Sequence, residues 1–221
     1  APLVAGQISP RVKLGSTGPA MGGVEVRLDD INPETGHGEI VVKTPCALQG
    51  YYKNEEATAS VFTKDGWFRT GDLGYIDEEG FIFIKGRLKN MIVGPSGENI
   101  YPEEIESVLN SHVFVSESVV TEADGHLIAL VHFDSDAIER LKDELAEKWE
   151  ITRDEWNQKM AEWDKKKEEL KQDVMKYVNS KVNRFSRITE VREEEKEFEK
   201  TPSKKIRRFL YTNKSGQQSK K

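Results

Sequence analysis

The chain has 221 residues, with 36% hydrophobic and 33% charged side chains and a formal net charge of −6. That is enough for one or two soluble domains; the acidic balance argues against a general nucleic-acid binder, although the last twenty residues are locally basic. A single cysteine, Cys46, excludes an internal disulfide, no apolar run approaches the ~20 residues of a membrane span, and no signal-peptide pattern opens the chain, so a cytoplasmic globular protein is expected.

Residues 1–65 read as β-structure. Val24-Glu25-Val26-Arg27-Leu28 alternates as a half-buried strand does, and Ile40-Val41-Val42 follows Gly36-His37-Gly38-Glu39 as a second strand. Gly15-Ser16-Thr17-Gly18-Pro19 looks like a phosphate loop but lacks the Gly-Lys-Ser/Thr ending and a strand–helix frame, so a plain turn is predicted. Glu55 to Phe62 is predicted as a short helix.

Residues 66–106 hold the densest chemistry. Arg69-Thr70-Gly71-Asp72 reads as a loop in which a carboxylate sits beside a turn-permitting glycine. A hairpin follows: Tyr75-Ile76, a turn over Asp77-Glu78-Glu79-Gly80, then Phe81-Ile82-Phe83-Ile84. Gly86-Arg87-Leu88-Lys89-Asn90 interrupts with charges, and Met91-Ile92-Val93 resumes extended structure. Gly94-Pro95-Ser96-Gly97-Glu98-Asn99 is a second turn-rich loop. Pro102 suits a first helical position, with Glu103 and Glu104 at the positive helix end.

Beyond that helix, two strands are predicted, Phe114 to Val120 and His126 to Phe133, joined by an Asp124-Gly125 turn. Residues 136–182 read as helical. Ile138, Leu141, Leu145 and Trp149 form one stripe, Thr152-x-x-Glu155 is a capping box, and Trp156, Met160, Trp163, Leu170, Val174 and Tyr177 form a second stripe. Core packing is the favoured role of that second stripe, with a docking face for a partner helix or membrane surface as the alternative. Ile188-Thr189-Glu190-Val191 is a further strand, and residues 212–221 are expected to be disordered.

Three of these motifs carry more than local structure. Gly66-Trp67-Phe68-Arg69-Thr70-Gly71-Asp72, Gly86-Arg87-Leu88-Lys89-Asn90 and Gly97 through Glu106 resemble, in order and spacing, the adenylate-forming superfamily of acyl-CoA synthetases, peptide-synthetase adenylation domains and luciferases. Within it the chain looks most like the long-chain fatty acyl-CoA ligases. Gly38 to Val42 followed by Gly50-Tyr51-Tyr52 resembles a further family motif, and Thr201-Pro202-Ser203-Lys204-Lys205-Ile206-Arg207-Arg208 resembles its last one, in which many members carry glycine where this chain has Lys204.

The resemblance implies an α+β fold in two parts. Residues 1–86 would form a small distorted β-barrel ending a large N-terminal domain, 87–90 a hinge, and 91–211 a mobile domain with a short sheet flanked by helices and a long helical insertion. The chain opens on Ala1 without a methionine, near where the family's Tyr-Gly-x-Thr-Glu motif ends. It is therefore expected to be the C-terminal part of a longer enzyme, lacking the phosphate loop and acyl pocket and inactive alone.

The implied roles fall on five residues. Asp72 would accept hydrogen bonds from ribose hydroxyls, and Arg87 would contact the nucleotide through its directed donors. Read locally, they are a turn aspartate and a surface ion-pair partner. Lys89 would be the hinge, or else an ordinary exposed lysine. Lys205 would enter the active site for adenylation and offset charge on the α-phosphate and acyl carboxylate; read locally it belongs to a basic cluster with Lys204, Arg207 and Arg208. Gly97 would let the pantetheine arm pass close to the backbone, while also serving as a turn glycine. The implied reaction is ATP-dependent, AMP-forming fatty acyl-CoA ligation with ATP/AMP, CoA and Mg2+, without nucleic acid. A stand-alone binding module and another adenylate-forming ligase are the alternatives.

Overall fold

The computed structural model describes residues 3–7, 10–148 and 160–212, and the chain divides into two compact units, Ala1–Met91 and Ile92–Lys221. The first unit is built on β1 (Gly18–Pro19), β2 (Glu25–Asp29), β3 (Gly38–Lys43), β4 (Phe68–Ile76) and β5 (Phe81–Arg87). These strands pair antiparallel in the order β1-β5-β4-β3-β2. Alternate side chains from this sheet, Ile40, Val42 and Ile82 with Val26, Leu28, Phe68 and Ile76 against them, form one apolar core. Helix α1 (Glu55–Ser60) lies in the connection from β3 to β4 and is capped by Asn54, whose side chain accepts the Ala57 N–H.

Two expectations are corrected here. The sheet is open rather than a closed barrel: β1 and β2 are its edges. The reason lies in β1, which is only two residues long and ends in Pro19, a residue without an N–H to continue the ladder. Second, Arg69 to Asp72 is not a loop but the middle of β4. Arg69 pairs with Val41 and Leu73 with Glu39, so Thr70, Gly71 and Asp72 together face only Ile40. Gly71, at φ +71, allows that bulge.

A 3-10 turn over Leu88–Asn90 follows β5 and leads to the division between the units. The second unit begins with a small hairpin, β6 (Ile92–Val93) and β7 (Asn99–Ile100). Helix α2 (Pro102–Leu109) starts on the proline with Glu103 and Glu104 in its first turn. Strands β8 (Val115–Ala123) and β9 (His126–Phe133) pair antiparallel around Asp124-Gly125, both at positive φ. Helices α3 (Ser135–Lys148) and α4 (Met160–Lys181) then carry the chain to β10 (Glu190–Glu193), which lies parallel to β9.

This three-stranded sheet, ordered β10-β9-β8, is covered on both faces. On one side Val120, Leu127, Ala129 and Val131 meet Ile105 and Leu109 of α2 and Leu170, Val174 and Val178 of α4. On the other, Val119, Ile128 and Leu130 meet Phe198 and Tyr211, the latter in a short final helix α5 (Phe209–Thr212). Burial on both faces explains why β9 reads as an unbroken apolar run rather than an alternation. Trp163, Leu170 and Val174 are buried within the chain, so the core reading holds for these three residues and removes them from a docking face, while Tyr177 is half-buried. Trp149, the Thr152–Glu155 capping box, Trp156 and the tail beyond Thr212 lie outside the described residues.

Candidate functional site

The β4–β5 ladder sets Asp72 directly opposite Arg87. The guanidinium Nε lies 2.8 Å from Asp72 Oδ1, and Nη1 donates to the Thr70 carbonyl at 3.1 Å. Both side chains are partly open to solvent, 25% for Asp72 and 42% for Arg87. Thr70 Oγ1 accepts the Asp72 N–H at 3.0 Å and donates to the Ile40 carbonyl at 2.7 Å, which ties the bulge to β3.

Behind the bulge stands a carboxylate that sequence reasoning assigned no role. Glu39, only 6% exposed, accepts the Gly71 N–H at 3.2 Å and an Arg69 guanidinium bond, while Arg69 Nη2 also reaches Asp29 at 2.9 Å. A buried acid within the quoted Gly38-Glu39-Ile40 motif was the available signal. Lys89 sits exposed on the 3-10 turn after β5.

In the second unit Gly97 is exposed at the tip of the β6–β7 hairpin, at φ +85, with no atom within 4 Å of where a methyl group would stand. The Gly94 N–H donates to the Glu98 carbonyl at 2.8 Å and closes that loop. Lys205 lies exposed on a different turn. The Thr201 N–H donates to the Lys205 carbonyl at 2.8 Å, and the Lys205 N–H donates to Thr201 Oγ1 at 3.2 Å. Lys204 adopts φ +60, the left-handed conformation that glycine takes without strain. Lys204 therefore holds at some strain a conformation that glycine would take freely.

Close beneath the Lys205 turn is a second missed feature. Glu106 of α2, 6% exposed, is gripped by both terminal nitrogens of Arg208 and accepts the Val120 N–H at 2.6 Å. Burial raises the Glu106 carboxyl pKa above its ordinary range, with the Arg208 guanidinium opposing that shift. A carboxylate supplies acceptors for hydroxyls and a partly open guanidinium supplies donors for oxyanions, while an exposed ammonium stands on a separate turn.

No protein-family model matches the chain. A 2-succinylbenzoate–CoA ligase of Bacillus pumilus is 47% identical over 115 residues, covering 51% of this chain and 23% of that protein. The long-chain-fatty-acid–CoA ligase FadD15 of Mycobacterium tuberculosis is 39% identical over 132 residues, covering 59% of this chain and 21% of that protein. The crystal structure of ATP-bound MatB from Rhodopseudomonas palustris is similar at 28% identity with a TM-score of 0.68, covering 96% of this chain and 38% of that one. The matched stretches thus span about a quarter or less of the curated relatives' length. Over about half of its length the chain is thus similar in sequence to a small part of CoA ligases acting on different acids, and nearly all of it is similar in structure to part of MatB.

Proposed function

We propose that the chain is the C-terminal portion of a ligase that activates a fatty acid with ATP and passes the acyl group to CoA. The observation that carries this reading is the Asp72–Arg87 pair, held on adjacent strands with both side chains partly open. Asp72 would accept from ribose hydroxyls, and Arg87 would hold Asp72 in place while directing its remaining donors at nucleotide oxygens. Mg2+ is proposed as the companion of the ATP phosphates, with no ligand in this chain assigned to it.

Lys205 would act in the first half-reaction, its ammonium offsetting charge as the carboxylate oxygen attacks the α-phosphorus and pyrophosphate leaves. In the second, the CoA thiol would displace AMP with Gly97 leaving room for the pantetheine arm, after a reorientation about Lys89. The likeness to a long-chain-fatty-acid–CoA ligase supports the fatty acid. An aromatic acid is the competing substrate, favoured by the likeness to 2-succinylbenzoate–CoA ligases.

The test uses a full-length ligase containing this chain, with fatty acid and 2-succinylbenzoate offered in parallel. Lys205→Ala should lower pyrophosphate release by about a hundredfold or more, while thioester formation from supplied acyl-adenylate persists. Equal loss of both steps removes Lys205 from the role. Turnover of 2-succinylbenzoate alone decides for the aromatic reading. The 221-residue chain by itself should release pyrophosphate only at background.

A further inference from the structure

The segment carrying Lys205 is a small hairpin, and its two legs are tied down differently. Lys200 and Ile206 form its rung, and the Arg207 N–H donates to the Glu199 carbonyl at 2.8 Å. At the head, Pro202, Ser203, Lys204 and Lys205 are all exposed. The incoming leg is fixed by buried Phe198, by the Glu199 N–H donating to Tyr211 Oη at 2.8 Å, and by Lys200 Nζ at 2.8 Å from Glu117 of β8. The outgoing leg has the Ile206 side chain against the core, and three residues beyond Lys205 comes Arg208.

Arg208 is the anchor of that outgoing leg. It reaches Glu106 with two nitrogens, Nη1 at 2.6 Å from Oε1 and Nη2 on Oε2, and its Nε lies 4.0 Å from Glu103 on the same helix. Glu106 cannot swing to follow a loosened leg, because the same Oε1 accepts the Val120 N–H from the centre of β8. A two-pronged guanidinium–carboxylate contact fixes direction as well as distance. A buried pair of this kind is weak evidence for stability, and orientation is the better explanation for keeping it.

We propose that Arg208 and Glu106 are positioning residues for Lys205: the pair pins the outgoing leg of the hairpin to α2 and the sheet, and so fixes where the Lys205 ammonium is presented. The proposal rests on the reading of Lys205 as the adenylation lysine, and it adds the device that aims it. Lys200–Glu117 serves the opposite leg, so the head is held from both sides.

Two measurements test it separately. On the 221-residue chain, limited trypsin digestion read by mass spectrometry should show the cut after Lys205 accelerated about fivefold or more in Glu106→Gln and in Arg208→Lys, with the cuts after Lys176 on α4 of the same unit and after Lys53 in the first unit changed less than about twofold. Arg208→Lys keeps a cation against Glu106 and guards against a variant that merely unfolds. Unchanged cutting after Lys205 in both variants overturns the proposal. Acceleration at every site alike also overturns it, since the pair then holds the whole unit and not the hairpin.

In the full-length ligase, Arg208→Lys should slow pyrophosphate release about tenfold or more while leaving thioester formation from supplied acyl-adenylate within about twofold. Equal slowing of both steps overturns the positioning role. If Lys205→Ala leaves pyrophosphate release unchanged, the reading of Lys205 fails, and the trypsin result still decides whether the pair pins the hairpin.

Discussion

Arg87 Nε stands 2.8 Å from Asp72 Oδ1, across a pair of strands whose register puts the two residues directly opposite one another. Half-exposed ion pairs of this kind contribute about 0–1 kcal/mol to folding, so stability is a poor reason for the arrangement. Asp72→Asn in a full-length ligase containing this chain should therefore weaken AMP binding by about tenfold, near the value of a charge-assisted hydrogen bond, and shift the melting temperature by no more than about 3 °C. Isothermal titration and a thermal melt read the two quantities. Unchanged affinity, or loss of affinity only through unfolding, refutes the ribose role.

Much of this was legible in the residues. Alternation gave β2, Ile40-Val41-Val42 gave β3, Asp124-Gly125 marked the turn of the β8–β9 hairpin, and Pro102 with two following glutamates marked the start of α2. Asp72 and Arg87 were named separately, fifteen positions apart, and only the ladder shows them as a pair. The strand assignment of Arg69 to Asp72 was missed because Gly71 looks like a turn signal, and a bulge accommodates it without ending the ladder. The Glu106–Arg208 contact joins residues 102 positions apart. One of three glutamates on a helix and an arginine in a basic run carry no sign of one another. Barrel closure came from resemblance rather than pattern, and the two-residue β1 is too short to continue the ladder.

Gly74 and Gly97 separate packing from function. A methyl group at Gly74 would lie 2.2 Å from the Phe83 carbonyl oxygen and 2.8 Å from Ile40 Cδ1, both inside the first unit's sheet. Gly74→Ala must displace backbone and should lower stability by about 3 kcal/mol. At Gly97 the same methyl meets nothing within 4 Å, and only its φ of +85 opposes the change, so Gly97→Ala should lower stability by about 1 kcal/mol. Urea unfolding of the 221-residue chain compares the two variants. If Gly97 leaves room for pantetheine, Gly97→Ala in the full-length enzyme should slow thioester formation and spare pyrophosphate release. Equal unfolding losses for both variants would contradict the packing argument.

The β4–β5 ladder starts at the turn between the two strands and shifts register once, between Gly74 and Leu73, before it sets Asp72 against Arg87; the turn itself is held by the Asp77 carboxylate. Asp77 accepts the Glu79 N–H at 3.0 Å, the Phe81 N–H at 2.9 Å and Lys13 Nζ at 2.5 Å, and just beyond it Tyr75 and Phe83 stack as a cross-strand pair at 4.6 Å. The Lys13 ammonium, then the Phe81 N–H, hold the Asp77 carboxyl below the usual aspartate range. A carboxyl with a lowered folded-state pKa adds stability above its unfolded value, about 4, and that stability is lost as the pH falls through the lowered value. Asp77→Asn retains an oxygen acceptor but not the charge. It should be less stable than the parent at about pH 7, and the gap between the two should narrow as the pH falls toward about 3. Chemical unfolding across that range measures it, and a gap of constant width would mean that charge on Asp77 does not hold the turn. A one-residue slip of the ladder would place Gly86 or Leu88, rather than Arg87, opposite Asp72, so weaker AMP binding in Asp77→Asn is the expected functional consequence.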